Sequence, residues 1–199
     1  VSEGTLERMI ELDYIIDQFS KVKVSKMKPV IRNIMRLSVY QLKYMDSIPV
    51  SAACNEAVKL TERKGFRNLK GFVNGVLRNI ARNLDNVRYP VKEEDPLGYL
   101  CVHYSLPMWL AKEWTDAYGF EKTEEMAQAF LTKAELSIRT NEDKITPEKL
   151  KERLKEEGVI VRSHKMLPYA FWISGFDYLM ALPSFSEGLF YVQDVSSMQ

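Results

Sequence analysis

The chain has 199 residues, 46% of them hydrophobic and 28% charged, with 28 basic and 27 acidic side chains for a net charge of +1. This balance excludes a disordered chain, which needs low hydrophobicity and high net charge. No apolar run reaches the roughly 18 residues of a membrane span, and the opening Val1-Ser2-Glu3-Gly4 is not that of a signal peptide. Two cysteines, Cys54 and Cys101, are too few for a disulfide framework or a four-ligand metal site, so reduced thiols in a cytoplasmic protein are expected, with no metal and no membrane partner.

Charge is distributed unevenly. Residues 1–20 hold one basic and five acidic residues, residues 21–92 hold 16 basic and four acidic, and residues 93–199 hold 11 basic and 18 acidic. A block of net +12 inside a folded segment is the footprint expected of a polyanion site; a solvated helix face is the plainer alternative.

The first element is a helix over residues 4–19, with Leu6, Met9, Ile10 and Tyr14 at helical spacing. Lys28 to Met45 is a second helix, apolar on most of its circumference and therefore central to a bundle, with Arg32, Arg36 and Lys43 on its exposed edge. After Pro49, Ser51 is placed to cap a third helix ending near Lys64 and Gly65. The fourth runs from about Asn68 to Leu84, with Leu69, Phe72, Val73, Val76, Leu77 and Ile80 inward. Gly71 and Gly75 there would let another backbone approach. Lys70, Asn74, Arg78 and Arg82 recur every four residues and form a mostly basic stripe, a rigid support for phosphate contacts.

Pro90, Glu93-Glu94-Asp95, Pro96 and Gly98 break periodicity and reverse the charge, so residues 85–98 read as a joint. Ser105 and Pro107 open a helix with Leu106, Leu110, Trp114 and Tyr118 on one face, and another follows from Lys122 to Leu131 with Met126, Ala127 and Phe130 inward. From 136 the pattern becomes strand (Leu136–Thr140), helix (Thr146 to Gly158, with Ile145 and Leu150 as a hydrophobic staple), strand (Val159–Val161), strand (Tyr169–Ile173), helix (Phe176–Leu182) and strand (Leu189–Val192). That is the split βαβ order of ferredoxin-like domains, although the paired aromatics of an RNA-recognition motif are not evident on the central strands. The expected fold is mainly α with a small α+β part. Trp109, Trp114 and Trp172 are candidates to stack on bases, with core packing the favoured reading for Trp114 and Trp172, and His103 and His164 read as surface or capping residues.

Two groups of motifs carry a family resemblance. Leu37-Ser38-Val39-Tyr40-Gln41-Leu42, Ile48-Pro49, Asn55-Glu56-Ala57-Val58 and Gly71-Phe72-Val73-Asn74-Gly75-Val76-Leu77-Arg78 resemble the NusB family of helical RNA-binding domains. His103-Tyr104-Ser105-Leu106-Pro107-Met108-Trp109-Leu110, Ile138-Arg139-Thr140-Asn141 and Tyr191-Val192-Gln193-Asp194-Val195-Ser196-Ser197-Met198 resemble the segment before the catalytic domain of the ribosomal RNA small subunit methyltransferase B family. The resemblance implies a NusB-like bundle over 1–88 lacking its first helix, a linker and helical connector over 89–134, a ferredoxin-like subdomain over 135–193, and at 194–199 the start of a methyltransferase domain absent from the chain. It implies an S-adenosylmethionine-dependent 16S rRNA cytosine-5 methyltransferase as the complete protein. This part would bind small-subunit ribosomal RNA and its own C-terminal domain, hold no cofactor and contain no catalytic residue. Arg32, Arg36, Arg67, Lys70, Arg78, Arg82 and Arg139 are the expected RNA contacts, and Gln193 and Asp194 are expected near the cofactor site of the complete enzyme. A free-standing NusB-like module acting in transcription antitermination, or a structural adaptor, remains the alternative.

Overall fold

A computed structural model describes residues 1–132 and 136–198. The expected boundary at 134/135 and the terminal Gln199 lie outside the described residues. The chain forms two compact units, Val1–Thr132 and Lys133–Gln199.

The first unit is helical. Helices α1 (Ser2–Glu7) and α2 (Met9–Phe19) replace the single helix expected over 4–19, because Arg8 leaves helical geometry at φ −102°, ψ 17°. Helix α3 (Pro29–Tyr44) buries Ile31, Ile34, Met35, Ser38 and Val39. Helix α4 (Val50–Arg63) begins one residue before Ser51: Pro49 is its N-cap, and no side chain caps it. It ends with Gly65 at φ +84°, where Phe66 N–H donates to Thr61 C=O, a Schellman-type closure that glycine adopts without strain. A 3-10 turn at Arg67–Leu69 then leads into α5 (Lys70–Arg82), and a second at Leu84–Asn86 follows it. One cluster built from α2 to α5 forms the core, including the fully buried Leu12, Ile16, Met35, Leu77 and Ile80. The 3.6-residue spacing of these apolar positions is what directs each helix inward.

Helix α6 (Pro96–His103) lies where the sequence suggests only a joint. Pro96 and Gly98 read as breakers, yet proline is suited to the first helical turn and Asp95 caps the helix by accepting from Gly98 N–H at 2.9 Å. Helix α7 (Met108–Tyr118) starts after Pro107. Ser105 does not open it; Ser105 sits at φ +51°, and its hydroxyl accepts from Glu11 N–H at 3.3 Å. Helix α8 (Phe120–Leu131) packs with α6 and α7 around Leu100, Cys101, Leu106, Ala111 and Ala127. Phe130, expected inward, and Tyr118, expected on one face with Leu110 and Trp114, are 72% and 61% exposed; Phe130 lies against the Trp114 ring instead.

The second unit is a four-stranded antiparallel sheet, β1 (Leu136–Thr140), β2 (Ile160–Ser163), β3 (Ala170–Ser174) and β4 (Phe190–Val192), in the order β2-β3-β1-β4. Helices α9 (Pro147–Glu156) and α10 (Pro183–Ser186) complete the ferredoxin-like order. Thr146 is the N-cap of α9 but its hydroxyl makes no capping bond, so Pro147 and the burial of Leu150 and Leu154 fix that helix. The helix expected over Phe176–Leu182 is a 3-10 turn at Leu179–Ala181 preceding the short α10. Ile138, Leu150, Leu154, Phe171, Ile173 and Phe190 form the core on one face of the sheet.

Candidate nucleic-acid interface

Part of the basic block is consumed inside the first unit. Arg36 donates to both carboxylate oxygens of Asp13, at 2.6 and 2.5 Å, and its side chain is only 14% exposed. Lys43 is ion-paired with the buried Glu11 and hydrogen-bonded to Tyr89. The edge of α3 expected to face solvent thus packs on the acidic side of α2, and the acids of residues 1–20 are its partners. Arg32 is half-buried, and its Nε has no hydrogen-bond partner among the described residues. Burial would depress the Lys43 ammonium, but Glu11 and Tyr89 outweigh it and hold its pKa above the ordinary value.

The basic side chains of α5 are differently placed. Lys70, Arg78 and Arg82 are exposed, with Asn74 between them and accepting from Arg78 Nε at 3.0 Å. Lys70 donates to Glu62 at 2.9 Å and Arg67 lies 3.7 Å from the same carboxylate; the Lys70 hydrogen bond first, and then the two positive charges, hold that carboxylate below the usual glutamate range. These are exposed pairs, worth little and readily exchanged for a phosphate. Gly71 and Gly75 face open space: a Cβ added at either would meet no atom within 4 Å. Among the described residues no backbone occupies the gap the glycine spacing suggested; it belongs to the surface of the basic stripe. Arg63 and Lys64, exposed at the end of α4, extend this surface and were not singled out by the sequence pattern. The run Arg63-Lys64-Gly65-Phe66-Arg67 was the available signal.

In the second unit Arg139 lies on β1 opposite Ala170 and Tyr191, its guanidinium 5.1 Å from the Tyr169 ring centre. Gln193 continues β4: its N–H donates to Ser137 C=O at 3.2 Å and its side-chain amide to Ser197 C=O at 2.8 Å. Asp194 accepts from the backbone N–H and hydroxyl of Ser196, both at 2.8 Å, and those bonds hold its carboxyl below the ordinary range. Arg139, Asn141, Glu142, Asp143, Tyr191 and Gln193 line one shallow pocket. Trp172, read as core, lies on the sheet face opposite the hydrophobic core, with the Arg162 guanidinium 4.1 Å from its ring centre. His164 caps a turn by accepting from Met166 and Leu167 N–H, while the His103 ring sits among Tyr89 and Tyr99. Cys54 and Cys101 are buried, which pushes both thiols up and away from the reactive thiolate.

Residues 1–82 match the NusB family, and residues 106–176 match the ferredoxin-like domain of Methyltr_RsmF/B-like proteins. The chain joins a NusB-family domain to an RsmF/B-type ferredoxin-like domain. Among its relatives, a probable ribosomal RNA small subunit methyltransferase B of Bacillus subtilis (strain 168) is 39% identical over 158 residues, covering 79% of this chain and 35% of the relative. The protein of the same name from Synechocystis sp. (strain ATCC 27184 / PCC 6803 / Kazusa) is 31% identical over 196 residues, 98% of this chain and 43% of the relative. The NusB-family domain alone is 43% identical over 82 residues to the transcription antitermination protein NusB of Bacillus pumilus (strain SAFR-032), 41% of this chain and 63% of that protein. The chain therefore spans 35% and 43% of the length of the two methyltransferase relatives. A solved structure, that of PH0851, superposes with a TM-score of 0.73 at 22% identity over 98% of this chain and 43% of its own, a likeness of fold.

Proposed function

We propose that this chain is the RNA-holding part of a cytoplasmic S-adenosylmethionine-dependent 16S rRNA cytosine-5 methyltransferase. In this reading the exposed basic face of α5 and the α4–α5 turn grip the backbone of small-subunit ribosomal RNA. Residues 1–88 form the RNA-binding bundle, 89–134 the connector and 135–193 the ferredoxin-like subdomain. Residues 194–199 lead into the domain that binds the methyl donor and carries the catalytic cysteine. The observation that carries the reading is the coincidence on α5 of exposed Lys70, Arg78 and Arg82 with the open backbone at Gly71 and Gly75. Cations in register on a rigid rod attract phosphates, and a wall without side chains lets the sugar–phosphate chain come close.

The methyl donor has no fitting place among the described residues. Nucleotide-like cofactors sit beyond the carboxyl ends of parallel strands at a glycine-rich turn. Here the sheet is wholly antiparallel, and the turn between β1 and α9, from Asn141 to Thr146, contains no glycine. The donor is accordingly assigned to the neighbouring domain, and this part alone is expected to transfer no methyl group. The ferredoxin-like unit after the bundle favours this reading over a free-standing antitermination module.

The test is binding of a labelled 16S rRNA segment to the chain, with Lys70→Glu and Arg82→Glu combined. The wild type is expected to bind with a log–log salt slope of roughly −3, as for about four phosphate contacts to a single strand. The double variant is expected to lose at least tenfold in affinity, with an unchanged helical circular-dichroism spectrum. Equal affinities for the two proteins would refute the reading.

A further inference from the structure

A second group of cations lies outside the α5 face, on the loop between α2 and α3. From Gln18 to Met45 the sequence contains no acidic residue, and Lys21, Lys23, Lys26 and Lys28 crowd the start of that run. Two apolar side chains tie the loop down: Val24 and Met27 are buried in the helical core. Asp17 accepts from Val24 N–H at 2.7 Å, and a 3-10 turn spans Val24–Lys26. With Val24 and Met27 inward, the residues around them turn outward, and all four lysines are exposed. Lys23 lies 3.8 Å from the Asp17 carboxylate. Lys21, Lys26 and Lys28 make no ion pair and no side-chain hydrogen bond among the described residues. Arg32, one turn after Lys28 on α3, is likewise unpaired there, and its buried Nε has no acceptor. Helical side chains lean toward the N-terminus of their helix, which tilts Arg32 toward the turn of Lys28. Farther along α3, Arg36 and Lys43 are neutralised by Asp13 and Glu11, so the run of free charge ends at Arg32. The loop leaves α2 beside the C-terminal half of α5: the Asn79 amide donates to Phe19 C=O at 3.4 Å, with Arg78 before Asn79 and Arg82 nearly one turn beyond it.

We propose that the loop from Lys21 to Lys28, with Arg32, is a second phosphate-binding site, which takes the RNA backbone as it runs off the C-terminal half of α5. It rests on the reading that the chain handles RNA, and extends that reading to a separate set of side chains. An unpaired lysine meets a phosphate without first releasing a carboxylate. A loop already held by two buried side chains does not pay the full entropy of being ordered on binding. Composition favours nucleic acid over an acidic protein as the occupant. The exposed residues of the loop are the four lysines, Val22 and Ser25. Protein interfaces centre on aromatic and other apolar side chains and are depleted in lysine, whereas nucleic-acid interfaces are polar and strongly positive. No aromatic side chain stands among these six, so the site holds the backbone and leaves the bases unread.

The test uses the whole 199-residue chain and a fluorescein-labelled oligouridylate, read by anisotropy across a salt series. The α5 contacts alone give the slope of roughly −3; on a strand of about 24 nucleotides, long enough to reach the loop, three further contacts steepen it to roughly −5. Lys21→Gln, Lys26→Gln and Lys28→Gln combined are expected to weaken binding about tenfold and to return the slope to roughly −3. The same three positions changed to arginine should keep the wild-type affinity and slope. Val24 and Met27 are untouched in both variants, so the unfolding midpoint and the circular-dichroism spectrum should stay as they are. If the glutamine variant binds with unaltered affinity and slope while Lys70→Glu with Arg82→Glu weakens binding, the loop site is wrong and the α5 grip stands. If the glutamine variant weakens binding and the α5 variant does not, the loop site stands and the grip falls. If neither variant changes anything, both fall. A labelled polyglutamate of the same charge is expected to bind about tenfold more weakly than the RNA. Binding of that peptide as tight as the RNA's, lost in the glutamine variant, would assign the loop to an acidic protein and overturn the proposal.

Discussion

Lys43 and Glu11, 32 residues apart in sequence, form an ion pair inside the helical unit, with side chains 20% and 6% exposed. Tyr44 donates a second hydrogen bond to the same carboxylate at 2.5 Å, and Arg8 lies 3.7 Å away. Burying a carboxylate costs several kcal/mol unless it is paired and hydrogen-bonded, and these contacts supply the compensation. Glu11→Gln is expected to cost about 3 kcal/mol at pH 7, because it strands Lys43 in a partly buried setting.

The same cluster predicts alkaline sensitivity. Lys43, Tyr44 and Tyr89 all have pKa values above their ordinary 10.5 and 10.0. Burial and the Glu11 carboxylate are the main causes for Tyr44; burial dominates for Tyr89. A group whose pKa rises on folding gives stability that is whole below the unfolded value and is lost as pH climbs through the folded value. Denaturant unfolding should thus show stability falling from about pH 10 upward, with the gap between wild type and Glu11→Gln narrowing there. A gap that stays constant from pH 7 to pH 11 would show that Glu11 does not hold the Lys43 proton.

Gly71 and Gly75 separate two requirements that usually travel together. Both are in a helix, where alanine is favoured over glycine by up to about 1 kcal/mol, and both face open space. Gly75→Ala should therefore raise the melting temperature. Gly75→Gln should also fold, yet its longer side chain stands on the surface proposed for the RNA backbone, and affinity for the 16S rRNA segment is expected to fall severalfold. Full affinity in the glutamine variant would move the contact away from this wall.

Helix α6 depends on a close approach at its start. A Cβ on Gly98 would lie 1.9 Å from Oδ2 of Asp95, the carboxylate that caps the helix. Gly98→Ala must displace that cap, so both Gly98→Ala and Asp95→Ala are expected to lose about 1 kcal/mol, and the double variant little more than either. Additive losses in chemical denaturation would separate the glycine from the cap.

The periodic elements were legible because periodicity is local. The 3.6-residue pattern of α3 and α5 and the alternation of β1 are contained in the residues themselves, and the ferredoxin-like order followed from them. What required tertiary partners was not legible. Arg36 and Lys43 look like a solvent edge until Asp13 and Glu11 arrive from another helix. Pro96 and Gly98 looked like breakers because the value of Asp95 as a cap depends on the glycine beside it. Trp172 reads as core from its place in a strand, whereas the register with Arg162 and Ser137 fixes its face, and register is not visible one strand at a time.

The two sulfhydryls have a practical corollary. With Cys54 and Cys101 shielded and their ionisation suppressed, the native chain should resist iodoacetamide and glutathione disulfide, reacting only as it opens. Alkylation rate is then a built-in gauge of unfolding. In any longer polypeptide containing this segment, rapid labelling would report a thiol located elsewhere.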